Sequence, residues 1–140
     1  MTEYPIKFRN ESGELHRLDG PAVEYADGAK FWFVNGILHR EDGPAVEKTD
    51  GYREWIQHGE LHRLDGPAIE YTDGSKSWYR MGQRHRSDGP AFEDSYGTRH
   101  WYINDRHVTR EVNQWLEEQK ITLPMSESEL TMFILKFIGK

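Results

Sequence analysis

A seven-residue frame, His16-Arg17-Leu18-Asp19-Gly20-Pro21-Ala22, returns from His39, His62 and His85, at an interval of 23 residues each time. A fixed period of this length dictates a stack of small supersecondary units, each of which buries its apolar face only against its neighbours. Four units tile without insertion: Glu14 to Gly36, Ile37 to Gly59, Glu60 to Gly82 and Gln83 to Asp105. Other columns hold the register. Trp32, Trp55, Trp78 and Trp101 align, as do Glu24, Glu47, Glu70 and Glu93, and Gly28, Gly51, Gly74 and Gly97. The chain divides into residues 1–13, the repeats over 14–105, and a tail over 106–140. The first thirteen residues read as a degenerate half-unit that caps the stack, with Lys7-Phe8 and Gly13 in register and Arg9 where Trp would stand.

Within a unit the local signals are those of strands and tight turns. Asp27-Gly28, Asp50-Gly51, Asp73-Gly74 and Asn35-Gly36 supply the positive-φ residue that hairpin turns require. Segments such as Lys30-Phe31-Trp32-Phe33-Val34 and Ser77-Trp78-Tyr79 carry aromatic and β-branched residues suited to a pleated surface. Leu38 through Lys48 reads as a longer strand bent at Asp42-Gly43-Pro44, because proline has no N–H to give a ladder. The expected fold is mainly β, an elongated antiparallel hairpin-repeat sheet. A two-residue Asp-Gly turn places Val23 opposite Trp32, Val46 opposite Trp55, Ile69 opposite Trp78 and Phe92 near Trp101, which predicts one buried apolar face.

The repeat also weighs against chemistry. Equivalent positions lie two strands, or roughly 10 Å, apart, whereas zinc ligands converge within about 2.1 Å of the ion. The column His16, His39, His62 and His85 is therefore expected to be structural, with Trp32, Trp55, Trp78 and Trp101 beside it, and no metal or other cofactor is expected. The arginines of the same frame have acids two and seven residues on, which suits internal pairing better than an anion track. Catalytic sites are singular, while every candidate acid or base here occurs in four copies, so no catalytic residue is assigned and the chain is read as a non-enzyme. What varies from unit to unit is the place to look for recognition. Phe31, Phe33, Ile56, Tyr79, His100 and Tyr102 are the candidate protein-binding residues.

The pattern of Trp55, Gly59, His62 and Gly66 resembles that of MORN repeats, over Glu14 to Asp105. It departs from the usual His-Gly-x-Gly: here Arg63-Leu64-Asp65-Gly66-Pro67-Ala68 follows the histidine, as in variant MORN-like repeats of bacterial antitoxin-like, phage and large-virus proteins. The resemblance implies a single-layer sheet used for binding, and an inhibitor or antitoxin-type role against a toxin or defence enzyme. Lipid-surface association and sequestration of a small ligand such as a nucleotide are the alternatives.

A net charge of −6 disfavours nucleic acid and anionic lipid as partners. No run of apolar residues approaches the roughly 20 of a membrane span, and Met1-Thr2-Glu3-Tyr4-Pro5 lacks a signal-peptide pattern, so a cytoplasmic location is expected, the host's if the chain is phage-encoded. In the tail, Thr109 is expected to cap a helix bearing Val112, Trp115 and Leu116 and ending near Lys120. Beyond Pro124, Ser126 and Glu129 form a capping-box pattern ahead of a stripe of Leu130, Phe133, Ile134, Phe137 and Ile138. That stripe either caps the stack or docks on another protein or a second copy of the chain.

Overall fold

The structure, a computed structural model, describes residues 2–139. Its backbone is mainly β: antiparallel hairpins build one extended sheet, closed at the C-terminal end by helices. Each 23-residue period holds four two-residue strands where the sequence suggests two longer ones. In one period these are Val46–Glu47, Arg53–Glu54 and Ile56–Gln57 of the second unit and Glu60–Leu61 at the start of the third. The first two enter a nine-stranded sheet that runs from Ile6–Lys7 to Arg99–His100, while the last two pair with each other as a separate hairpin. The molecule is thus one long sheet flanked by a row of four hairpins.

The break falls at the tryptophan. Trp55 donates its N–H to the Ala68 carbonyl (2.7 Å), which extends the sheet ladder, and its own carbonyl accepts from His62 N–H (3.0 Å) on the hairpin side. Trp32 and Trp78 repeat the pattern with Ala45 and His39, and with Ala91 and His85. Each tryptophan backbone serves both ladders, so no strand continues through it. The stretch from Leu38 to Lys48 is likewise two strands in different ladders, Ile37–Leu38 and Val46–Glu47, and not one bent strand. Neighbouring hairpins join through bonds such as Arg40 N–H to Ile56 O (3.0 Å) and Gly59 N–H to Leu38 O (2.9 Å).

The sheet register differs by one residue from the sequence expectation. Tyr25 N–H reaches the Ala29 carbonyl, Gly28 N–H reaches the Tyr25 carbonyl, and the Asp27 carboxylate accepts from Ala29 N–H. The loop therefore holds three residues, with Gly28 at φ 98° in the αL position that follows a type I turn. The third residue slides the partners to Val23↔Phe31, Val46↔Glu54, Ile69↔Ser77 and Phe92↔His100. A one-residue slip moves side chains to the opposite face. The tryptophans accordingly leave the Val23, Val46 and Ile69 row. They stand instead with the alternating-charge row Glu24, Lys30, Glu47, Arg53, Glu70, Lys76, Glu93 and Arg99.

Both ends imitate a repeat. At the N-terminus Phe8, not Arg9, takes the corner: its N–H donates to Ala22 O (2.8 Å) and its carbonyl accepts from His16 N–H (2.9 Å). The reason is a longer turn, closed by Asn10 N–H to Glu14 O around three residues, where the internal hairpins turn on two. At the C-terminus Val108 and Thr109 stand one period beyond His85 and Arg86. Val108 N–H donates to Trp101 O (2.8 Å), and Thr109 Oγ1 accepts the Trp101 N–H (2.7 Å) that no further repeat is present to take. The last hairpin closes on Arg106–His107, two residues beyond Asp105.

That hydroxyl commitment also explains why Thr109 is not the helix cap. Helix α1 (Thr109–Gln119) begins at it, and the N-cap position, Val108, offers no side-chain acceptor. Helix α2 (Glu127–Phe133) does carry the Ser126/Glu129 capping box and continues as a π-helical turn over Ile134–Ile138. Trp101, Ile103, Val108, Val112, Trp115, Leu116 and Phe133 form the main core, with Leu130, Ile134, Phe137 and Ile138 packed on it. The stripe caps the stack.

Candidate functional site

The columns that look most like chemistry are committed to the fold. Nδ1 of His16, His39, His62 and His85 accepts the N–H of Asn35, His58, Met81 and Asn104, at 2.9–3.2 Å. Those four turn residues have φ of 49–51°, a left-handed conformation that costs non-glycine residues energy, and the imidazole secures it. The bond needs an unprotonated Nδ1. His85 is buried, and burial, with help from the Arg80 charge, holds its pKa below the ordinary histidine value.

The arginines are equally engaged. Arg63 lies over the Trp55 ring at 3.8 Å, donates from Nε to Asp65 (3.1 Å) and from Nη1 to the Pro67 carbonyl (3.1 Å), and faces Glu70 at 3.7 Å. Arg40 and Arg86 stack on Trp32 and Trp78 in the same way, and Arg17 stacks on Phe8. The guanidinium leaves no space beside the Asp-Gly-Pro backbone: a Cβ at Gly66 would stand 2.8 Å from Arg63 Cζ. A side chain there would have to push the guanidinium aside, which favours glycine. Trp32, Trp55 and Trp78 are consequently half-buried under arginine, and only Trp101 is fully buried, beneath the Phe133 ring at 5.2 Å. Among the described residues no cluster of His, Asp and Glu has the arrangement to hold a metal ion.

What remains is a pair of facing rows. One follows the long sheet through Val23, Phe31, Val46, Glu54, Ile69, Ser77, Phe92 and His100. The other follows the hairpins through the pairs Phe33↔Leu38, Ile56↔Leu61, Tyr79↔Arg84 and Tyr102↔His107. In the N-terminal half the rows close on each other: buried Val46 and Ile56 cluster with Phe31, Leu38 and Leu61. Ile56, at 5% exposure, is therefore core and no contact for a partner, which corrects its assignment to the binding surface. Phe31 and Phe33 are half-buried at the same end.

At the C-terminal end the rows carry polar aromatics instead. Arg84 donates from Nε to the Tyr79 hydroxyl (3.0 Å) and from Nη1 to the Tyr102 hydroxyl (3.4 Å). These bonds hold its pKa above the usual arginine value, the Tyr79 hydroxyl most of all. Tyr102 stacks on His107 at 4.7 Å, His107 lies 5.7 Å from His100, and His100 lies 5.8 Å from Phe92. Tyr79, His100 and Tyr102, nominated from sequence, are thus brought together, and Arg84 and His107 join them. The signal for the latter two is present in the sequence as the column Leu15, Leu38, Leu61, Arg84 and His107, which turns from aliphatic to cationic and polar.

No protein-family model matches this chain, and comparison with curated proteins and with solved structures likewise gives no match. Among the described residues no helix is long and apolar enough to cross a membrane.

Proposed function

We propose that the chain is a non-enzymatic protein-binding repeat module of the MORN-like kind, which recognises a partner through the C-terminal end of its facing rows. One observation carries the reading: the repeated histidines and arginines are held in place by backbone and aromatic partners, which leaves the residues that differ between units as the free chemistry. Half-buried tyrosines beside an exposed arginine are of the side-chain types enriched at protein interfaces. An inhibitor or antitoxin-type role, in which the module covers the working surface of a toxin or defence enzyme, is the form of this function that the repeat's resemblance favours.

Affinity capture of the tagged full chain from cells that naturally express it, followed by mass spectrometry, tests the proposal. The expected result is one protein enriched with the wild type and lost with a folded Tyr79→Ala/Tyr102→Ala variant. Enrichment that is identical with both, or specific to neither, would overturn it.

A further inference from the structure

The charge of the chain reverses locally around the C-terminal end of the repeats. Residues 76–110 contain seven Lys and Arg against four Asp and Glu, in a chain whose net charge is −6. Of these cations Arg86 is committed to Asp88, Glu93 and the Trp78 ring, whereas Arg84 lies on the hairpin row opposite Tyr79. It is exposed, and among the described residues its guanidinium makes no ion pair. The Asp105 carboxylate accepts the Arg84 backbone N–H at 2.7 Å. Its planar fork is nevertheless oriented by the two tyrosine hydroxyls, and its Cζ sits 5.2 Å from the Tyr102 ring centre. A guanidinium oriented by neutral groups keeps its full charge and has donors to spare, which suits a carboxylate bound through paired hydrogen bonds.

We infer that Arg84, with the hydroxyls of Tyr79 and Tyr102 and the rings of His100 and His107, forms a docking site for a glutamate- or aspartate-bearing segment of a partner protein. This rests on the protein-binding reading above and names its partner's chemistry. Charge complementarity sets the occupant: the cationic region is confined to the end of an otherwise acidic molecule, too short for a nucleic-acid track.

Titration of the 15N-labelled full chain with a terminally capped hexaglutamate peptide reads the site directly. Saturable amide shifts are expected over residues 79–84 and 100–107, absent with hexaglutamine, and weakened about tenfold by Arg84→Gln, the scale of one lost charged hydrogen bond. Arg84→Lys, which keeps the charge but not the fork, should bind between the two. Unchanged amide positions elsewhere in both variants show that they fold. Shifts of equal size with hexaglutamine, or shifts centred on the Arg17, Arg40 and Arg63 loops, would overturn the inference. So would tighter binding of a single-stranded oligo-dT or of inorganic phosphate than of hexaglutamate. A captured partner that Arg84→Gln retains sinks this inference and leaves the binding module standing. Hexaglutamate bound at Arg84 in a chain that captures no protein sinks the module and leaves the anion site.

Discussion

Trp55 and Trp101 stand in the same column, yet one is half-exposed beneath an arginine and the other is sealed beneath a phenylalanine. Both need the same two things: an acceptor for the backbone N–H and a cover for the indole. Inside the stack the next unit supplies both, through the Ala68 carbonyl and Arg63. At the end no unit follows, and the tail supplies them through the Thr109 hydroxyl and Phe133. The difference teaches that a repeat is not self-sufficient, and that a terminal helix substitutes for a neighbour when it matches that neighbour's bonds.

The sharpest way to break this parallel is to empty the sealed corner. Phe133→Ala removes a fully buried ring at the centre of the main core and should cost about 3–5 kcal/mol in chemical denaturation. Because stability in a stack is shared among neighbours, amide exchange should rise first over residues 99–119 and only later in the first two units. At the open corner, Arg63→Ala loses a cation–π contact and a charged hydrogen bond to the Pro67 carbonyl, for about 2 kcal/mol. Arg63→Lys should recover little of this, since an ammonium cannot reproduce the fork. Gly66→Ala pushes a methyl into the same guanidinium and should cost about 1–2 kcal/mol, less than overpacking a rigid core, because an arginine can shift. Melting curves of the three variants rank them.

A smaller effect distinguishes the histidine column. His85 has a folded-state pKa below its unfolded one, so its contribution is fully present above the ordinary histidine value and is lost as pH falls through the folded pKa. Protonating Nδ1 turns the acceptor for Asn104 N–H into a donor. The stability gap between the wild type and His85→Phe should therefore narrow by about 1 kcal/mol, one hydrogen bond, between about pH 8 and about pH 4. A gap that widens on acidification would contradict the assignment. Smallest of all, Arg84→Gln should change stability by no more than about 0.5 kcal/mol, as an exposed substitution does, even while it weakens binding.

Much of this architecture is legible in the chain. The 23-residue period, the positive-φ Asp-Gly turns, the Ser126/Glu129 capping box and the apolar stripe after it all hold in the structure. The register is not legible, since the dipeptide Asp27-Gly28 starts a two-residue turn as readily as it ends a three-residue loop, and the choice decides which face the tryptophans occupy. Phe8 is displaced from the repeat frame for the same reason, one extra residue in a turn. The corner itself lies beyond local reading, because Trp32 looks like the centre of an excellent strand until its N–H and carbonyl are seen to bond in different ladders. At the candidate site, Tyr79, His100 and Tyr102 follow from looking where the units differ. Arg84 becomes apparent only when its column is read against Leu38 and Leu61.

We propose that the repeated histidines and arginines build the molecule while the unrepeated residues at the C-terminal end of the facing rows do its recognition. Hydrogen exchange of the full chain, alone and with the captured partner bound, tests it most directly. Protection confined to residues 79–84 and 100–107 is expected, with the Asp-Gly-Pro loops over 17–22, 40–45 and 63–68 unchanged. Protection of those loops with no change at 79–84 and 100–107 would place recognition on the repeated face and contradict it.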